Sequence, residues 1–158
     1  MRNEIDLQVL KALLPLAADQ DIRYYLKGVY VSFETARTVY VATDGAVLGV
    51  YEAAAANEHA FSVIIPREVV KQVKLAKILV LGALDLEDPR HARLDNPANG
   101  QNLGFQPVEG VFPDFRRAIP AKTSGEAGNY NVDLLGKFSA ANKVFGAKFP
   151  GALDLQQN

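Results

Sequence analysis

The run Tyr24-Tyr-Leu-Lys-Gly-Val-Tyr-Val-Ser-Phe33, then Thr38-Val-Tyr-Val-Ala42, Thr43-Asp-Gly45 and Ala46-Val-Leu-Gly-Val-Tyr51, decides the fold class. Aromatic and β-branched residues alternate roughly along each apolar run, the pattern of a half-buried strand. Thr43-Asp-Gly45 interrupts it with turn chemistry: an Asp side chain hydrogen-bonds local backbone and a Gly accepts positive φ. Successive strands are therefore expected here. Ala53–Ala56 has helical propensity, but it is short and lies between strands, so it reads as a strand end and loop.

Working outward, a helix is expected from about Asp6 to Ala17. Leu7, Leu10, Leu13, Leu14 and Ala17 form its apolar stripe, Asn3 or Asp6 caps it, and Pro15 kinks it or marks its last turn. Downstream, Phe61–Ile65 reads as a strand. Pro66 suits a first helical position, and Arg67–Ala76 reads as a second helix. Short strands follow at Ile78–Leu81, Leu84–Leu86, Ala92–Leu94 and Leu103–Phe105, separated by turn residues at Gly82, Asp88-Pro89, Asn96-Pro97 and Asn99-Gly100. The order helix, strands, helix, strands over residues 1–120 suggests an internal repeat in an α+β domain. Residues 121–130 read as a linker, small and polar from Ala121 to Gly128. Residues 131–158 hold a third helix, Val132–Phe145, and a strand beginning near Ala152–Leu155. In that helix Leu134, Leu135, Phe138 and Ala141 line one side. A helix and one strand cannot bury a core alone, so this part must pack on the first domain, on a partner, or on further sequence.

Composition narrows the chemistry. The 158 residues are 49% hydrophobic, enough for one ordinary domain with a core. No cysteine is present, which excludes disulfides, thiolate metal sites and cysteine nucleophiles. The two histidines, His59 and His91, lie in unlike contexts, and no metal site or cofactor is expected. Asp44 with Asp114, or His91 near Asp88 and Asp95, could be imagined as acid/base groups, but no nucleophile elbow or phosphate loop accompanies them, so no catalytic residue is assigned. The formal net charge of −1 is unlike that of a strongly basic nucleic-acid binder, so any contact with DNA must use a local basic face or topology. No apolar run approaches the roughly 20 residues of a membrane span. The N-terminal residues lack the basic-then-apolar order of a signal peptide, and a cytoplasmic protein with no membrane partner is expected.

Three segments carry a resemblance: Arg23-Tyr-Tyr-Leu-Lys-Gly28, Val41-Ala-Thr-Asp-Gly45 with Leu48, and Phe112-Pro-Asp-Phe-Arg-Arg-Ala-Ile-Pro120. In this order and spacing they are similar to the second domain of the bacterial replicative sliding clamp, the beta subunit of DNA polymerase III. The linker and Val132-Asp-Leu-Leu135 resemble the start of that family's third domain. The resemblance implies the DNA-clamp fold: two helices packed on antiparallel sheets, with an internal pseudo-two-fold repeat. It implies a DNA sliding clamp (processivity factor), or a piece or short homologue of one, with double-stranded DNA, DNA polymerase and other clamp-binding peptides, and further copies of the chain as partners. A clamp-fold interaction module that no longer forms a ring is the alternative.

The expected sites follow residue by residue. Arg67, Lys71 and Lys74, at i, i+4 and i+7, would share one helical face turned to DNA phosphates, with Val69, Val73 and Ala76 opposite. The bland reading of the same pattern is a solvated amphipathic helix. Gln20 matches a polar DNA-contacting position of the family, or is a turn residue only. Leu26, Thr43, Gly45, Leu48, Pro113, Arg117 and Ala118 match the lining of the family's pocket for client peptides. Gly45 could equally be a turn glycine, and Leu26 and Leu48 core residues. The family usually carries a His-Arg pair after the Thr-Asp-Gly turn. This chain has Ala46-Val47 instead, so weakened or altered peptide binding is expected.

Overall fold

The computed structural model describes residues 2–74, 77–82, 91–122 and 130–145. In chain order they form β1 (Arg2–Asp6), α1 (Leu7–Leu13), β2 (Gly28–Glu34), β3 (Arg37–Thr43), β4 (Leu48–Ala54), β5 (Phe61–Pro66), α2 (Arg67–Gln72), β6 (Ile78–Gly82), β7 (Ala92–Asn96), β8 (Gln101–Phe105) and α3 (Val132–Val144). Short 3-10 turns occupy Leu14–Leu16, Tyr24–Leu26 and Phe115–Ala118. The strands make two antiparallel four-stranded sheets, ordered β1-β6-β7-β8 and β4-β3-β2-β5. The expected repeat is therefore two β-α-β-β-β units. Each unit lends its first strand to the other's sheet: β1 pairs with β6, and β5 with β2.

That exchange explains what the sequence pattern misses. Arg2–Asp6 is too short and polar to read as a strand, and it becomes one by pairing with β6. Asn3 consequently lies buried in β1, donating from Nδ2 to the His59 carbonyl, and does not cap the helix. The cap is Asp6, whose Oδ1 accepts from the Gln8 and Val9 amides. The α-helix ends at Leu13 because Pro15 sits in a tighter 3-10 turn. Tyr24–Leu26 is likewise a 3-10 turn, so the strand read from Tyr24 begins at Gly28. Pro66 ends β5, with φ −57° and ψ 142°, and stands just outside the helix it was expected to enter.

Helix α2 stops at Gln72 and Val73 is extended, with ψ 125°. Lys74 is thus off the helix and cannot share the expected face with Arg67 and Lys71. Two valines in its six positions, Val69 and Val70, stiffen this short helix. Val69, Val70 and Val73 are buried, so the chain leaves the helix as soon as they are covered. Ala76, Leu84–Leu86, residues 123–129 of the linker and Ala152–Leu155 lie outside the described residues.

Side chains from both sheets and both helices build one core. It includes Ile5, Leu7, Leu10, Leu13, Val29, Val31, Phe33, Tyr40, Ala42, Ile65, Val70, Leu79 and Leu94. Residues of opposite parity on the second sheet (Tyr30, Val39, Val41, Ile64, Leu48 and Val50) face the other way. They are covered by residues 106–118: Phe112 stacks on Tyr30 at 4.7 Å between ring centroids, and the Val108 amide donates to the Ile64 carbonyl. Both faces of β3 are therefore buried, which is why Thr38–Ala42 carries so few polar side chains. Of the three destinations open to the third helix, α3 takes the first. Leu134, Phe138 and Phe145 pack against the main core, Gln8 Nε2 donates to the Val144 carbonyl, and Phe145 stacks on Tyr51.

Candidate functional site

The turn between β3 and β4 is tied by its own side chains. Thr43 Oγ1 donates to the Val47 carbonyl at 2.6 Å and accepts from the Gly45 amide at 3.0 Å. Asp44 Oδ1 accepts from the amides of Ala46 and Val47 at 2.8 and 2.9 Å. Gly45 has φ +94°, and a Cβ there would lie 2.7 Å from Arg23 Nη2. The glycine is therefore required both by backbone conformation and by a guanidinium lying against it. Arg23 is fixed in turn by Asp21: Nε and Nη2 donate to its two carboxylate oxygens, and Nη2 also donates to the Asp44 carbonyl. The hydrogen bond from Arg23 holds the Asp21 carboxyl down at about 2.

This turn forms one wall of a concavity of about 460 Å³. Leu26, Thr43, Gly45, Leu48, Pro113 and Ala118 all line it, so the structure brings together six of the seven residues read as a pocket. Arg117 does not line it. Its side chain is 88% exposed and pairs with Asp114 one turn back, so the sequence expectation is corrected there. The 3-10 turn Phe115–Ala118 buries only Phe115; Ala118 borders the concavity from an exposed position, and Arg117 lies away from it. Arg23, Tyr25, Phe112 and Phe115 also line the concavity and were not singled out from the sequence. Their signal was available: each belongs to a segment that carried the resemblance. Of the pair that replaces the family's His-Arg, Ala46 is exposed at the rim, whereas Val47 is buried in the main core.

A second, polar cavity of about 470 Å³ lies across the same turn. Pro15, Ala17–Asp21, Asp44, Arg67 and Lys137 line it. It unites Gln20, which is exposed, with Arg67. Lys71 and Lys74 lie outside its lining, on the exposed surface. Arg67 is largely committed. Nη1 donates to the carbonyls of Leu14 and Ala17 at 2.9 and 3.2 Å, and Nε lies 3.4 Å from Asp19 Oδ1. Lys71 pairs with Glu68 at 2.8 Å. Of the four expected DNA contacts, two are thus already engaged with protein groups, and Lys74 departs from the helix.

Asp44 sits between the two cavities. Its Oδ2 accepts from Lys137 Nζ of α3. Burial pushes its carboxyl up, but the bonds from Lys137 and from the Ala46 and Val47 amides outweigh burial and hold it below the usual carboxylate range. Asp44 and Asp114 are each held in an ion pair with a different cation, Lys137 and Arg117. Among the described residues no group of three or more His, Asp or Glu side chains gathers to hold a metal. No described helix is long and apolar enough to cross a membrane.

Comparisons with known proteins agree with this geometry. Residues 8–85 match the family model described as DNA polymerase III beta subunit, central domain. The chain is 32% identical over 142 residues to the beta sliding clamp of Vibrio cholerae, covering 85% of this chain and 37% of that protein. It is 34% identical over 109 residues to the beta sliding clamp of Salmonella typhimurium, covering 65% of this chain and 28% of that protein. The crystal structure of the DNA polymerase III beta subunit from Pseudomonas aeruginosa superposes with a TM-score of 0.64 over 78% of this chain and 35% of that one, at 24% identity. The chain thus spans between 28% and 37% of the length of these relatives. The fold is the sliding-clamp fold, and residues 8–85 belong to the central-domain family of the DNA polymerase III beta subunit.

Proposed function

We propose that this chain acts within a DNA sliding clamp, encircling duplex DNA and tethering replication proteins through the pocket beside the Thr43–Val47 turn. The pocket is the observation that carries the reading. An apolar floor of Leu26, Leu48, Phe112 and Phe115, with a few polar groups at its rim, suits the apolar anchors of an extended peptide. The role is non-enzymatic and the setting cytoplasmic. Residues 1–120 form the clamp-type domain, 121–130 the linker, and 131–158 the start of a further domain. The DNA-facing groups are Gln20, Lys71 and Lys74, with Arg67 holding the loop that carries Gln20. Few and weak phosphate contacts let a ring slide without reading sequence. Ring closure needs more than one copy, so a homo-oligomer is part of the proposal.

The second reading, a clamp-fold interaction module that forms no ring, draws on two observations. The expected basic face is largely neutralised by Asp19 and Glu68, and the pocket rim carries Ala46 where the family has a polar residue. Light scattering and retention on nicked circular DNA separate the two. An oligomer retained on the circle and released by linearisation supports the ring. A monomer without such retention supports the module. In either case, titration with a labelled clamp-binding peptide is expected to show weakened binding. Ordinary low-micromolar affinity would defeat that expectation.

A further inference from the structure

The Thr43–Val47 turn is a partition. Gly45, Ala46, Val47 and Leu48 line the apolar pocket, while Asp44 lines the polar cavity on the other side. The conformation of the turn depends on Asp44 Oδ1, which satisfies the Ala46 and Val47 amides. The second oxygen of the same carboxylate is taken by Lys137, which comes from α3, 93 residues further along the chain. Lys137 and Asp44 have side chains 33% and 15% exposed, so the pair is partly shielded from water.

We infer that α3, through Lys137, holds Asp44 in the orientation that shapes the pocket turn and thereby tunes the pocket from its far side. The inference rests on the pocket reading for its functional consequence, but not for the control of the turn itself. A carboxylate held at one oxygen by a cation presents its other oxygen in a fixed direction. Without Lys137 the Asp44 side chain is freer to rotate away from the two amides. Both amides belong to residues of the pocket wall. The other charged groups near Asp44 cannot replace Lys137. Arg23 reaches only the Asp44 carbonyl and is already paired with Asp21. Arg67, across the cavity, is bound to the Leu14 and Ala17 carbonyls and lies against Asp19. Asp21 and Asp19 bear like charge. Helix α3 keeps other anchors, the Gln8–Val144 bond and the stacking of Phe145 on Tyr51, so losing Lys137 need not undock it. Lys137 is thus a positioning residue supplied by the C-terminal helix, and docking of that helix and peptide binding are coupled.

The test uses the full chain with Lys137→Met and Lys137→Arg. Nitrogen-15 NMR follows the Ala46 and Val47 amides through an acid titration, and a labelled clamp-binding peptide reports on the pocket. Lys137→Met is expected to shift both amides, to raise the pH at which they titrate, and to weaken peptide binding about threefold, as for loss of a partly exposed ion pair. Lys137→Arg is expected to restore all three. Ala46 and Val47 amides that titrate as in the wild type would overturn the inference, as would moved amides with unchanged peptide affinity. If the wild-type chain binds no peptide, the pocket reading fails by itself, and control of the turn stands or falls on the amides.

Discussion

Replacing Gly45 by Ala perturbs two features at once, and the structure separates them. At φ +94° an L residue is strained by about 1–2 kcal/mol. The new Cβ would also lie 2.7 Å from Arg23 Nη2 and 2.8 Å from Nη1. A guanidinium is the far end of a flexible side chain, so it gives way, losing its 3.0 Å bond to the Asp44 carbonyl. That bond lies in an exposed setting and is worth about 0.5 kcal/mol. The total is about 2 kcal/mol, or roughly 8 °C in Tm for a domain of this size. Gly100 supplies the control. It has φ +72°, and a Cβ there would meet nothing within 4 Å, so Gly100→Ala isolates backbone strain. In calorimetry Gly45→Ala is expected to lower Tm by about 2 °C more than Gly100→Ala. In an Arg23→Ala background that excess should vanish. An equal loss for the two glycine variants, or an excess that persists without Arg23, would refute the claim that Arg23 and Gly45 share this space.

Three further outcomes follow. Arg67→Met strips the Leu14 and Ala17 carbonyls of their donor and is expected to cost about 2 kcal/mol in urea unfolding without any DNA present; a variant of unchanged stability would return Arg67 to the role of a free phosphate contact. The Asp21 carboxyl is depressed from 3.8 to about 2 when folded, so its contribution is present above the ordinary value and lost as pH falls through the folded one; Tm is expected to drop between about pH 4 and 2, and Asp21→Asn should flatten part of that slope. Phe33→Ala, at a side chain 1% exposed and 4.8 Å from the Phe61 ring centroid, is expected to cost about 3–5 kcal/mol by denaturant titration.

The sheet strands were legible because their apolar periodicity is local: Arg37–Thr43, Phe61–Pro66 and Ala92–Asn96 fall on the runs read from the sequence. What escaped depends on distant partners. Strand β1 exists through its register with β6, more than 70 residues away, and nothing within Arg2–Asp6 announces that pairing. The early end of α2 is likewise a tertiary effect, since the burial of Val69, Val70 and Val73 is complete before the helix can reach Lys74. For the pocket, the structure gathers Leu26, Thr43, Gly45, Leu48, Pro113 and Ala118, which the resemblance had grouped, around one concavity. Arg117 lies away from it, because adjacent residues of a 3-10 turn point in different directions. For the basic residues, spacing reveals the cations but not their protein partners: the Leu14 and Ala17 carbonyls and Asp19 engage Arg67, and Glu68 engages Lys71.

The central claim is that the concavity walled by Thr43–Leu48 and floored by Phe112 and Phe115 receives an extended apolar peptide. Titrating a labelled clamp-binding peptide into the wild-type chain and into Leu48→Ala, with amide shifts recorded at each step, tests it most directly. Saturable binding is expected, weaker than low-micromolar, with shifts confined to Arg23–Leu26, Thr43–Leu48 and Phe112–Ala118 and a clear loss of affinity in Leu48→Ala. Shifts centred elsewhere on the domain, or binding indifferent to Leu48, would contradict it.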